Sequence, residues 1–440
     1  MRAFVLTLAL TLAAGTAGAG VFPYTSQTHT LDNGLHVVLI PMPSHGLVNY
    51  EAVVRTGSRD EVEPGHSGFA HLFEHMMFRG TERFPGPVYD SLTTSLGANA
   101  NAYTTDDYTC FYATFGSSDL PQVVDMESDR FANLAYDLTG FQTETGAVYG
   151  EYRKGRTDPE DVLEEAIRDK AFDVHTYKHT TIGFEKDVAA MPTMYDYSKS
   201  FFARFYRPEN VVIVVSGDFD PAKTMTLLRA HYGTWKPGYT APQVRPEPEQ
   251  TAERTIDVSY PGRSLPILSI AWKGPGFDPA SREVAASQLL GDLLFGETSD
   301  LYNDLVLKRR LAQRLAPYFA ATRDPGLCTL NATVTADANV VPVREAIDAA
   351  VAKLQASGPD PKLLEDMKRR ARYRFLMALD TPDRVGSSLA RLIALTGGID
   401  GVDRYYETLA QVTPADVQTA AKRLLTRERR TVAVLKGVQS

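Results

Sequence analysis

A chain of 440 residues with 43% hydrophobic content and a net charge of −8 is long enough for two domains with separate cores, which excludes intrinsic disorder. The negative balance argues against nucleic acid or an anionic membrane surface as the main partner. Two cysteines, Cys110 and Cys328, are too few for a disulfide framework and are expected as separate buried thiols. Residues 1–19 carry Arg2, an apolar run from Ala3 to Ala14 and the small-residue end Ala17-Gly18-Ala19. That pattern predicts a cleaved signal peptide and an exported chain, periplasmic or secreted. No other stretch approaches about 20 apolar residues, so no membrane span is expected in the mature chain.

The Asp32-Asn33-Gly34 turn precedes a strand from Leu35 to Ile40, and a second strand runs from Leu47 to Arg55. Gly57 to Gly65 reads as a loop, with Ser67 as the expected N-cap of the next helix. In that helix, Gly68 to Phe78, the sequence His71-Leu72-Phe73-Glu74-His75 sets two histidines at i and i+4 on one face, close enough to grip one metal ion. Glu74 reaches the same region, offset enough to act on a water instead of the metal. This is the division of labour a hydrolytic zinc site needs, and His-x-x-Glu-His is the inverted zinc-peptidase signature.

Tyr89 to Leu96 reads as a helix. Asn99 to Phe115 reads as two strands broken near Asp106-Asp107, and helices are expected over Leu120 to Tyr136, Thr143 to Arg156 and Ser198 to Tyr206. His175 and His179 are also at i and i+4, but threonines surround them and no glutamate stands between them. They are expected in a loop lining a cleft. The apolar strand Val211 to Val215 closes the first pattern, and Pro237, Pro242, Pro246 and Pro248 mark an extended linker.

Beyond the linker the pattern restarts with the strand Pro266 to Trp272, the apolar helix Val284 to Phe295, a strand within Asp324 to Val334, and a last helix and strand in Thr413 to Gly437. The repetition implies a degenerate duplication: a catalytic unit over 20–235, a linker over 236–255 and a repeat over 256–440. The fold class is α+β, two homologous units of sheet with packed helices. Gln288, Gly291 and Asp292 stand in the second copy where His71, Glu74 and His75 stand in the first.

The sequence resembles the pitrilysin and insulinase family, which includes the mitochondrial processing peptidase. The resemblance rests on Gly68 to His75, Asn101-Ala102-Tyr103-Thr104, the pair Glu144 and Glu151, and Tyr206-Arg207-Pro208-Glu209-Asn210. It implies a clamshell-like arrangement and a zinc endopeptidase holding one zinc per chain. His71, His75 and Glu151 would be the ligands, Glu144 their support and Glu74 the base. A peptide substrate would add as a strand along Asn99, Asn101, Ala102 and Tyr103. The family's stretch with an arginine and a tyrosine that hold substrate reads Leu307 and Gln313 here. Arg309, Arg314 and Tyr318 stand nearby. This departure implies a homologous partner chain that lacks the metal motif and keeps the arginine and tyrosine. The alternative is a non-hydrolytic binding or assembly subunit of the same architecture.

Overall fold

The computed structural model describes residues 20–438, so the expected signal segment lies outside the described residues. The first sheet contains β1 (Gln27–Thr30), β2 (His36–Pro41), β3 (Leu47–Val54), β4 (Asn99–Thr104), β5 (Thr109–Gly116) and β6 (Val211–Gly217). Its spatial order is β1-β2-β6-β3-β5-β4, with β2 and β6 parallel and the other neighbours antiparallel. The second contains β7 (Arg254–Tyr260), β8 (Ile267–Lys273), β9 (Ala312–Tyr318), β10 (Leu327–Val334) and β11 (Arg430–Gly437), in the order β7-β11-β8-β10-β9 with β7 and β11 parallel. Without β1, the two sheets match strand for strand. The duplication read from sequence is therefore a duplication of topology.

Three helices of the first half build the site and the seam between the halves: α1 (Phe69–Met76), α2 (Leu138–Gly155) and α3 (Pro159–Ala171). Their counterparts in the second half are α4 (Arg282–Phe295), α5 (Pro361–Met377) and α6 (Pro382–Thr396). Helix α1 packs on one face of the first sheet, where Phe69, Leu72, Phe73 and Met76 join a core with Tyr50, Phe111 and Val215.

The inner strands of both sheets are apolar on both faces, as the buried run Val211 to Gly217 shows, and each sheet therefore needs a cover on each side. The second cover comes from the other half of the chain. Val385, Leu389, Ala390 and Ile393 of α6 lie on Val38, Ile40, Val53, Val212 and Val214 of the first sheet. Reciprocally, Val162, Leu163 and Ile167 of α3 lie on Ile267, Ala271, Ala433 and Leu435 of the second. The halves thus exchange one helix each. They form two sheet-and-helix units with a cleft between them, as the clamshell expectation requires.

Residues between Tyr232 and Arg254 contain no helix or strand, and β7 begins within the last residues expected of the linker. Glu247 from this segment accepts hydrogen bonds from the backbone N–H groups of Asp173, Val174 and His175, so it is pinned to the first half. Cys110 and Cys328 are both free and buried. No helix among the described residues is long and apolar enough to cross a membrane.

Candidate metal centre

Helix α1 begins at Gly68, whose φ of 93° is left-handed and whose missing Cβ leaves room for the Ile182 carbonyl, 2.5 Å from where a Cβ would stand. Ser67 does not cap it, contrary to expectation. Its hydroxyl donates to Asp187 and accepts from the Phe184 N–H. The cap is Glu61, a buried carboxylate that accepts from the N–H groups of Gly68 at 2.7 Å and Ala70 at 2.6 Å. Its two oxygens satisfy two orphan donors at the start of the helix, which the single hydroxyl of a serine does not match. Farther along, Phe73 stacks on Phe201 and Phe202 at 5.2 and 5.9 Å. This anchoring turns the opposite face, with His71, Glu74 and His75, toward the cleft.

Helix α2 lies against α1. Its N-cap Asp137 accepts from the Gly140 N–H, and the seven-residue interval sets Glu144 and Glu151 two turns apart on one face. Glu151 Oε2 lies 3.4 Å from His71 Nε2 and 3.6 Å from His75 Nε2. One ligand atom from each of the three residues falls within 4.8 Å of the others. Tetrahedral zinc with bonds of about 2.0 to 2.1 Å separates its ligands by about 3.3 Å, so the donor set fits a zinc ion by type and spacing. Burial, with His75 nearby, pushes the His71 pKa down to about 4. The ring is therefore neutral, the form a ligand needs.

Glu144 does not reach the cluster's shared centre. It lies 3.5 Å from His75 Nδ1 and is paired on its other oxygen with Arg79. That contact raises the His75 pKa, with burial opposing, and it orients the ring so that Nε2 faces Glu151. Glu74 stands beside the ligands with its pKa raised by burial. The Thr104 hydroxyl donates to Glu74 Oε2 at 2.7 Å. Sequence reading assigned no role to Arg79, Thr104 or Glu61: Arg79 acts through Glu144 of another helix, Thr104 from a strand and Glu61 from a loop, contacts that no local spacing announces.

Strand β4 pairs with β5 on one side and is the edge of its sheet. Asn99 and Asn101 are exposed, Ala102 is buried, and the Tyr103 ring packs on Tyr108 at 5.8 Å. Ala102 and Tyr103 can therefore meet a ligand chiefly through backbone. A cavity of about 840 Å³ opens beside the cluster, and its wall includes His71, Glu151 and Thr104 from the first half with Tyr318, Thr322 and Arg391 from the second.

His175 and His179 do not line this cavity. The loop does so through Thr180, Thr181 and Ile182. Extended backbone on either side of the turn Thr176–Lys178 separates the two rings. His175 Nε2 lies 3.0 Å from Asp324 of the second half, and His179 is buried 3.8 Å from Glu61. Leu307 is exposed and Gln313 lies on edge strand β9. Arg309 is engaged by Asp304 and Arg314 by Glu160, which leaves Tyr318, 65% exposed, facing the cavity.

Residues 36–184 match the family described as Insulinase (Peptidase family M16), and residues 194–371 match the Peptidase M16 inactive domain. The zinc protease PqqE of Helicobacter pylori is 26% identical over 438 residues, 98% of this chain and 96% of that protein. The solved structure of a protease from Helicobacter pylori has a TM-score of 0.88 at 25% identity, covering 94% of this chain and 100% of the other. The periplasmic protease PqqL from Escherichia coli has a TM-score of 0.74 at 21% identity, covering 94% of this chain and 48% of its own.

Proposed function

The chain belongs to the insulinase family, peptidase family M16, and on that premise we propose that it is a zinc-dependent endopeptidase acting on peptides or unstructured polypeptide segments. The observation that carries this reading is the convergence of His71, His75 and Glu151 within 4.8 Å, with Glu74 free of the cluster and beside it. These three residues would hold one zinc ion per chain. A bound zinc would polarise the scissile carbonyl and acidify the attacking water.

The chain's own residues do the rest. Glu74 takes the proton of the attacking water and delivers it to the leaving amine. Glu144 holds His75 in register. Residues 20–235 form the catalytic unit and 256–440 the degenerate one. Substrate lies extended along the free edge of β4, past Asn99, Asn101, Ala102 and Tyr103, so main-chain bonds provide affinity with little demand on sequence. The apolar run and small-residue end of residues 1–19 support export to the periplasm or beyond.

A homologous partner chain lacking the metal motif completes the site. Leu307 and Gln313 support this reading, as does a structural neighbour whose chain holds the architecture in half its length. A second reading rests on Tyr318, which shares the cavity with His71 and Glu151 and gives the chain a donor of its own. The non-hydrolytic alternative draws on the match to the inactive domain, but that match begins at residue 194, after the last proposed ligand. Zinc content and turnover of a mixed peptide library, measured for the mature chain alone and with candidate partners, separate these readings. A chain that binds zinc stoichiometrically and cleaves nothing under either condition would overturn the enzyme.

A further inference from the structure

Resting on that reading, we propose that Thr104 is a positioning residue for Glu74, so that the strand receiving the substrate also aims the base. Thr104 is the last residue of β4. Its hydroxyl donates to Glu74 Oε2 at 2.7 Å, the one side-chain hydrogen bond of that carboxylate among the described residues. A glutamate has three rotatable side-chain torsions, and α1 fixes only where the side chain starts. The threonine fixes where it ends. That bond holds the Oε2 end of the carboxylate in place.

The donor is itself held. Thr105, next in the chain, closes the hairpin by accepting at its hydroxyl from the N–H groups of Asp107 and Tyr108. Gly57 lies so close that a Cβ there would stand 2.3 Å from the Thr105 carbonyl. The Asp107 carboxylate accepts from the Tyr177 hydroxyl at 2.6 Å and from the Arg323 N–H at 2.9 Å, while the Arg323 guanidinium donates to the Asp107 carbonyl at 2.9 Å. Arg323 belongs to the second half. The hairpin that carries Thr104 is therefore fastened on one side by the catalytic unit and on the other by the degenerate one. A peptide adding to the free edge of β4 engages the strand whose last side chain holds the base, and strand addition and proton transfer share one rigid element.

The test compares Thr104→Val and Thr104→Ser with wild type and Glu74→Gln in the zinc-loaded mature chain. Losing one hydrogen bond to a charged group corresponds to about a ten- to hundred-fold change. The valine variant should lose that factor in kcat, with KM and zinc content unchanged, and serine should restore most of it. A valine variant with wild-type kcat beside a dead Glu74→Gln would overturn the role of Thr104 and leave the function standing. An active Glu74→Gln would instead bring down the function reading together with this one. A crystal structure of zinc-loaded Thr104→Val gives a readout independent of turnover. Glu74 should leave its single position, and an unchanged carboxylate would overturn the proposal.

Discussion

The same pair of helices occurs twice in this molecule. In the first half α1 faces α2, and His75 Nε2 lies 3.6 Å from Glu151. In the second, α4 faces α5, and Asp292, which stands where His75 does, lies 3.7 Å from Arg374. Glu151 and Arg374 are each the fourteenth residue of their helix. The backbone has kept the spacing of a metal site while the chemistry has been replaced by an ion pair whose partners are mostly solvent-exposed. Polarity has also reversed: α5 carries Lys368, Arg369, Arg370, Arg372 and Arg374 where α2 supplies carboxylates. The net charge of −8 thus averages over unlike surfaces. Scaffold and site are separable, and a few side chains decide which half can hydrolyse a peptide.

The sharpest way to break this comparison is to remove chemistry from the first half and nothing else. Glu74→Gln is expected to lower turnover by about 10²- to 10⁴-fold, the range for a general base, with zinc retained at one per chain. Asp292→Asn, in the equivalent helix of the other half, should change neither. Loss of zinc from Glu74→Gln would show that Glu74 is a ligand. A loss of activity from Asp292→Asn would show that the second half takes part in the chemistry.

Metal retention ranks next. Glu151→Gln removes a donor from the cluster, whereas Glu144→Gln removes only the group that orients His75, a change that typically costs about 10- to 100-fold in affinity. Competition with a chelator should strip Glu151→Gln well before Glu144→Gln, and Arg374→Gln should match wild type. Equal stripping of both glutamate variants would mean that the 3.5 Å contact from Glu144 to His75 is as important as the ligand itself.

The exchanged helices treat the halves alike, and they predict stability, not activity. Leu389 is fully buried where α6 covers the first sheet, so Leu389→Ala should destabilise by about 2 to 5 kcal/mol. Urea unfolding would measure it. A cost below about 1 kcal/mol would mean that α6 is not part of that sheet's core.

Much of this was legible in the sequence. The histidine pair announced itself because helical geometry fixes i and i+4, and β2, β3 and β6 because their apolar runs suit buried strands. The capping of α1 was misread because the competing group, Glu61, is a carboxylate whose approach depends on the fold of a loop. Helix α6 was not read from the sequence; Val385, Leu389 and Ile393 stand at helical spacing, but spacing gives the apolar face and not the sheet that receives it. The linker's fixed place against Asp173 to His175 and the link from Thr104 to Glu74 depend on contacts between distant segments, which local patterns do not encode.

The pH dependence of stability tests the seam between the halves. Glu51 of β3 is buried where α6 crosses, accepting from the Asn49 side chain, with the Cys110 thiol 3.8 Å away. Helix α6 presents Gly386 at that point, and a Cβ there would stand 2.3 Å from Glu51 Oε1. The carboxyl sits in a slot shaped by both halves. Burial pushes its pKa from 4.5 up to about 8, against the opposing bonds from Asn49 and Cys110. Between those values the folded state keeps the proton and the unfolded state has released it, so the unfolded state binds fewer protons and stability falls as pH rises. The slope for one proton is about 1.4 kcal/mol per pH unit. Unfolding free energies measured from pH 5 to pH 8 should therefore decline more steeply for wild type than for Glu51→Gln, which keeps a neutral group of similar shape in the slot. Parallel curves for the two proteins would mean that Glu51 titrates as it does in water, and that the seam admits solvent.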